Sequence, residues 1–255
     1  MLLTIDVGNT QTVIGLFEHD TDKLIEHWRL STVVERTADE YALLLTELLS
    51  LGDHDSKRIS GMAFSSSVPR VTGEFRIMAE RWFKSHLVIV EPGIKTGMPI
   101  LYDNPKEVGA DRITNAVGAY ERYGGPCIVV DMGTATTFDA ISGAGEYLGG
   151  AITPGIQISM DALFSQAAAL RRVELVEPKR VIGKSTVESL QSGALYGFVG
   201  QVDSICERFE VELGKSEIVA TGGLAGLITP LSAKVNHHDP WLTLHGLRII
   251  YDRNQ

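Results

Sequence analysis

A strand that ends in Asp-x-Gly occurs twice in this chain, and the repetition limits what it can fold into. Residues 2–12 read LLTIDVGNTQT and residues 127–137 read CIVVDMGTATT, so Asp6 and Asp131 close two apolar runs 125 positions apart. Each run suits a buried strand, and each leads into glycine and a cluster of hydroxyl side chains. A hairpin turn accounts for Gly8-Asn9 alone. It does not account for two equivalent turns, each opening a strand–turn–strand meander followed by helices. The repetition predicts two related α/β domains with mixed sheets flanked by helices. They are expected to span residues 1–104 and 105–255, with both turns lining an active-site cleft between them.

The pattern along the chain agrees. Strands are predicted at residues 2–6, 12–17 and 24–30, the last two joined by the polar turn EHDTDK. Thr37-Ala38-Asp39-Glu40 is a capping box that opens a helix over 38–51. A strand at 59–65, a helix at 72–84 and a strand at 87–90 complete the first half. Asn104-Pro105 supplies a capping oxygen and a proline suited to the first helical position, predicting a helix over 105–123. Strands follow at 127–131, 136–141 and 147–152, then helices at 156–171 and 186–214, the latter opened by Ser185-Thr186-Val187-Glu188. A strand at 218–221 runs into Gly222-Gly223.

Composition narrows the function. The 255 residues carry a net charge of −9, which gives no electrostatic support for binding a nucleic-acid backbone. No apolar run reaches the roughly 18 residues of a membrane span, and no leader-like segment is present. The two cysteines, Cys127 and Cys206, fall in apolar patterns and read as buried reduced thiols, which suits the cytoplasm.

An acidic chain that handles phosphates must do so locally. A tight turn after a buried strand aims backbone N–H groups at one point, and glycine lets an anion approach. Thr10, Thr12, Thr134, Thr136 and Thr137 add hydroxyl donors, and Asp6 and Asp131 are placed to hold cations through oxygen. The stretch IVATGGLAGL from Ile218 is expected to let a flat base lie against a diglycine turn. One Asp-x-Gly-x-Thr is usually a hairpin and one diglycine usually a boundary; the set in this order indicates nucleotide phosphate binding. Gly183-Lys184-Ser185 imitates the end of a P-loop, but Pro178 stands where its first glycine belongs. His237-His238-Asp239 reads as a polar loop rather than a metal cluster.

The stretches DVGNTQT, NPKEVGADRITNA, VVDMGTATTFDAIS, YLGGAITPGIQIS and GKSTVESLQSGALYGF, in order along nearly the whole chain, resemble the type III pantothenate kinases, or Bvg accessory factor family. That family is a branch of the acetate and sugar kinase/Hsp70/actin superfamily. The resemblance implies two ribonuclease H-like, actin-like ATPase domains and transfer of phosphate from ATP to pantothenate, the first step toward coenzyme A. It implies that Asp6, Val7, Gly8, Asn9, Thr10, Gln11, Thr12 and Val13 form the first ATP-phosphate turn and that Thr134 contacts ATP in the second. Asp131 would hold K⁺ or NH₄⁺, with Mg²⁺ accompanying ATP. Tyr102, Gly109, Ala110, Asp111, Arg112 and Thr186 would contact pantothenate, with Asp111 as general base about two turns into its helix. It also implies a homodimer, for which residues 156–171 and 194–202 are the candidate packing segments. The alternatives are a kinase of another small alcohol and a nucleotide-binding regulator without turnover. Retention of Asp6, Asp111 and Asp131 together favours a catalyst, since a binding-only protein has no chemical need of them.

Overall fold

The computed structural model describes residues 1–19, 21–167 and 170–255. In chain order its main elements are β1 (Leu2–Val7), β2 (Gln11–Phe17), β3 (Leu24–Ser31), α1 (Ala38–Leu51), β4 (Gly61–Ser66), α2 (Pro69–Met78), β5 (His86–Ile89) and α3 (Ala110–Tyr123). They continue with β6 (Cys127–Met132), β7 (Ala135–Ile141), β8 (Tyr147–Pro154), α4 (Ile156–Gln166), α5 (Thr186–Leu213), β9 (Glu217–Thr221), α6 (Ala225–Ile228), β10 (His237–His238) and α7 (Leu242–Asp252).

The chain divides into two compact units. One comprises Met1–Gly118 and Trp241–Gln255; the other is Ala119–Pro240. The division expected at 104/105 falls instead at Gly118, and the chain re-enters the first unit at Trp241. The cause is α7, which packs on β1 and β4 of the first sheet.

The two sheets repeat one topology. The first has strand order β3-β2-β1-β4-β5 and the second β10-β9-β6-β7-β8, which read from opposite ends are the same order. β1 is antiparallel to β2 and parallel to β4, as β6 is antiparallel to β7 and parallel to β9. The register repeats as well. Asp6 stands opposite Val13 on one side and Ser65 on the other; Asp131 stands opposite Thr137 and Thr221.

In the first unit, Leu3, Ile5 and Val7 join Phe64 of β4, Tyr41 and Leu45 of α1, and Phe75 of α2 in one buried core. Phe64 and Phe75 stack with ring centres 4.7 Å apart. The two-residue period of a strand therefore turns Thr4 and Asp6 to the opposite face, where Leu244 of α7 and the Thr4 hydroxyl both lie close over Gly15. In the second unit, Ile128, Val130, Met132 and Phe138 pack against Ile156 and Met160 of α4 and Leu195, Val199 and Val202 of α5.

Local signals were accurate where side chains close the ends. Thr37 and Glu40 form the reciprocal capping box, with the Glu40 carboxylate accepting from the Thr37 N–H at 2.8 Å. Ser185 accepts from the Glu188 N–H at 3.2 Å, but the Glu188 carboxylate takes the Lys184 N–H rather than completing the box. The helix expected over 72–84 begins earlier, with Pro69 in its first turn, and continues as a π-helical turn to Phe83, ended by Lys84 in the left-handed conformation. The helix expected over 156–171 ends at Gln166, and residues 168 and 169 lie outside the described part. His237-His238 forms a two-residue strand on β9 rather than a loop.

The sequence reading assigned no element to residues 242–252, yet α7 braces α3. A Cβ at Gly118 would stand 2.9 Å from the Leu242 carbonyl, and one at Gly246 would collide with the Thr114 carbonyl. The Thr243 hydroxyl donates to Asn115 at 2.7 Å. Close helix approach through glycine leaves no room for a methyl. Gly246→Ala is expected to lower unfolding stability by about 1–3 kcal/mol, read as a drop in the denaturant midpoint with an unchanged slope; an unshifted midpoint would disprove the close packing.

Candidate active site

The first turn is a closed hairpin. The Gly8 N–H donates to the Gln11 carbonyl at 2.9 Å, and the Thr32 hydroxyl of the segment after β3 donates to the Gly8 carbonyl at 2.7 Å. Asn9, Thr10 and Gln11 are exposed at its tip, while Val7 and Thr12 are buried beneath it and Val13 is half-buried. The Thr12 hydroxyl lies 3.0 Å from that of Thr32, so it fixes the turn from below rather than facing outward. Gln11 Oε1 accepts from Arg29 at 2.9 Å. The groups open to a ligand are thus the backbone and side chains of 9–11.

Asp6 sits below this turn with Oδ1 accepting from the Ser65 hydroxyl at 2.5 Å. Burial pushes its pKa up from 3.8 to about 7; the Ser65 hydrogen bond pulls the other way, and the charge of Asp111 adds to the rise. Asp111 is therefore an electrostatic neighbour of Asp6, although 105 residues separate them in sequence.

Asp111 does not lie two turns into a helix. Residues 105–107 form a separate 3-10 turn capped by Asn104, whose Oδ1 accepts from the Lys106 N–H at 3.3 Å. The chain then extends at Val108, and α3 starts afresh at Ala110. This break puts Asp111 in the first turn, where a carboxylate is favoured by unpaired N–H groups. Its Oδ1 accepts from the Arg112 N–H at 2.8 Å. Gly109 permits that pose: a Cβ there would stand 2.5 Å from Asp111 Oδ1. Arg112 is buried, Ala110 is half-buried, and Tyr102 is half-buried in the irregular segment ahead of Pro105.

A cavity of about 820 Å³ opens beside this motif within the first unit. It lies beyond the ends of β4 and β5, lined among others by Ser66, Val90, Met98, Ile100, Val108 and Ala110. Its size is that of a small-molecule pocket.

In the second unit the turn is one residue shorter, closed by the Gly133 N–H on the Ala135 carbonyl at 3.0 Å. Gly133 and Thr134 are exposed. The Gly155 N–H donates to the Thr134 carbonyl at 3.0 Å, and Gly155 lies so close to the turn that a Cβ would collide with it. Gly155 is also the N-cap of α4, which has no side-chain cap. Its free first-turn N–H groups therefore start next to Thr134, an anion-favouring arrangement that the sequence reading missed although TPGIQIS signals it.

Asp131 is half-buried. Gly222, at φ 93°, approaches it so closely that a Cβ would stand 2.5 Å from Asp131 Oδ1. The diglycine turn thus lies against the motif aspartate. Thr186 is exposed at the start of α5. No group of three or more His, Cys, Asp or Glu side chains suited to a metal exists among the described residues. Cys127 and Cys206 are free and buried, each pushed up to about 12 by burial, so neither is a nucleophile near neutral pH.

The raised Asp6 pKa carries a stability consequence. Between pH 3.8 and about 7 the folded state keeps a proton on Asp6 that the unfolded chain has released, so this group's contribution to stability falls as pH rises through that window. Asp6→Asn is expected to remove the decline, making the ligand-free variant more stable than wild type at pH 8 by about 1–3 kcal/mol, with the difference shrinking toward pH 4. Denaturant unfolding across that range checks it; a difference independent of pH would contradict the assignment.

Residues 2–208 match the family model described as type III pantothenate kinase. Proteins so named from Streptomyces griseus, Myxococcus xanthus and Moorella thermoacetica are 55%, 54% and 54% identical, each over 100% of this chain and 98%, 99% and 100% of their own length. A solved Baf family transcriptional activator from Campylobacter jejuni superposes over 99% of this chain and 98% of its own, with TM-score 0.63 at 18% identity. A polyphosphate/ATP-glucomannokinase from Arthrobacter does so over 100% and 99%, with TM-score 0.53 at 12% identity. The two structures show a shared actin-like, sugar-kinase fold, and the full-length sequence identity goes further: the chain belongs to the type III pantothenate kinase family.

Proposed function

We propose that this chain transfers the γ-phosphoryl group of ATP to the primary hydroxyl of pantothenate, the first step of coenzyme A biosynthesis. The observation that carries the reading is the position of Asp111. It stands in the first turn of α3, is an electrostatic neighbour of Asp6, and lies within residues 2–208, which match the family model.

Asp111 Oδ1 is engaged by the Arg112 N–H, and among the described residues its other oxygen has no hydrogen-bond donor. That oxygen is the acceptor for the proton of the attacking hydroxyl. Phosphoryl transfer asks little more of a base than to orient the hydroxyl and take its proton late. The backbone of residues 9–11 and the free N–H groups at the start of α4 beside Thr134 supply donors for phosphate oxygens. Asp6 offers one of the carboxylates that Mg²⁺ uses when it binds with phosphates; bound there, the ion would neutralise charge on the transferring group. Asp131, half-buried against the diglycine turn, offers a carboxylate oxygen of the kind that suits a hard monovalent ion, K⁺ or NH₄⁺, better than a transition metal.

The cavity beside Val108 and Ala110 is the candidate seat for the acceptor, since pantothenate combines a branched apolar body with a hydroxyl, an amide and a carboxylate. Tyr102, Gly109, Ala110, Asp111 and Arg112 are the first-unit contacts that the family motif assigns to pantothenate, and of these Ala110 lines the cavity; Thr186, on α5 of the second unit, is assigned by the motif alone. A homodimer is also part of the reading. On α5, a Cβ at Gly193, Gly197 or Gly200 would meet nothing within 4 Å, and Ile158 and Leu163 of α4 are 42% and 40% exposed. These faces, with the 194–202 segment, are the proposed packing surface between copies.

Asp111→Asn tests the assignment of the base. Pantothenate-dependent ADP release is expected to fall by about 10²–10⁴-fold while the affinity for Mg²⁺·ATP changes little. Turnover within a few-fold of wild type would remove Asp111 from that role.

A further inference from the structure

We propose that Ser65 is the positioning residue for Asp6, holding one carboxylate oxygen so that the other is presented to Mg²⁺·ATP. The inference rests on the kinase reading above and adds to it a residue outside the family's motif stretches.

The backbone sets the pair. β1 and β4 run parallel with Asp6 directly opposite Ser65, so their side chains leave the same face of the sheet. The Ser65 hydroxyl donates to Asp6 Oδ1 at 2.5 Å, and Ser65 is 0% exposed. Among the described residues the Asp6 carboxylate receives no other hydrogen bond, so Oδ1 is fixed and Oδ2 is left for a ligand. On the far side the opposite residue is Val13, whose side chain has no donor to offer. The neighbouring Ser66 is not interchangeable, because its hydroxyl is engaged with Val68.

Stability alone does not call for this pair. Burying a hydroxyl together with a carboxylate is no better for a fold than two packed apolar side chains, and often worse. The residues of β4 before it, Gly61-Met62-Ala63-Phe64, are apolar and buried. A polar pair at the strand end next to the phosphate turn is accounted for by a ligand that needs an oriented oxygen. The second unit repeats the device in its backbone: Asp131 stands opposite Thr221 in the parallel pair β6–β9, and Thr221 is 2% exposed. Each motif aspartate therefore has a buried hydroxyl residue as its parallel-strand neighbour.

The test uses Ser65→Ala, the near-isosteric Ser65→Cys and the hydroxyl-retaining Ser65→Thr in the full chain. Binding of Mg²⁺ with a non-hydrolysable ATP analogue is measured by calorimetry, alongside KM and kcat with pantothenate. Loss of a hydrogen bond to a charged group corresponds to about 10-fold weaker Mg²⁺·ATP binding or more in the Ala and Cys variants. KM for pantothenate should hold within about twofold, and Thr should restore binding. Ala or Cys variants that fold and bind Mg²⁺·ATP as wild type does would overturn the proposal. So would equal losses for both substrates without rescue by Thr, which is the behaviour of a merely structural residue. The binding measurement needs no acceptor. A wild type that binds Mg²⁺·ATP but ignores pantothenate would sink the kinase reading while leaving the Ser65 result to stand on the calorimetry.

Discussion

Parallel pairing between the strand that ends in a motif aspartate and the strand that follows the helical crossover is the constraint on which the rest depends. In the first unit β1 pairs with β4, in the second β6 pairs with β9, and both pairings keep the aspartate at the last or next-to-last rung. A parallel ladder cannot be closed by a hairpin and requires a crossover. In the first unit the meander and α1 supply it, in the second the meander with α4 and α5. The aspartate is then held at the carboxyl end of a buried strand, where ligands bind in open α/β sheets, with a glycine turn immediately after it.

The consequences are electrostatic as well as geometric. A carboxylate at the end of a buried strand is costly to ionise without a partner, and Asp6 shows it in a pKa raised to about 7. The nearest relief is a serine hydroxyl rather than a basic side chain, and Asp111 adds charge of the same sign. Such a carboxylate lacks a counter-charge within the protein, which is the ground for the Mg²⁺·ATP proposed there. Asp131 is hemmed in by backbone instead: Gly222 touches it, and only glycine fits there at that positive φ. The two halves use one topology to set their motif aspartates in two different surroundings.

Much of this was legible in the sequence because it is written locally. The Asp-x-Gly turns, the capping box at Thr37, the proline at 105 and the strand periodicity all act over a few residues. What was not legible depends on partners distant in sequence. The break at Val108-Gly109 is invisible in a pattern that reads as one amphipathic helix, because Asn104 caps the 3-10 turn as readily as it would an α-helix. Gly109 looks like a helix weakness until Asp111 is seen folded over it. The last helix lacks a polar cap and carries a glycine at its middle; its stability comes from packing on α3 and β1, which no local signal reports. Ser65 read as the end of a strand, and only the register with β1 makes it a neighbour of Asp6.

The central claim is phosphate transfer to pantothenate, and product identification tests it most directly. The wild-type chain is incubated with Mg²⁺·ATP and pantothenate, in K⁺ and separately in Na⁺ at the same ionic strength. ADP and phosphopantothenate are then quantified together. The account predicts one phosphopantothenate per ADP, formed in K⁺ and sharply reduced in Na⁺. ADP released without phosphopantothenate, or no pantothenate-dependent ADP from a folded protein that binds ATP, would contradict it.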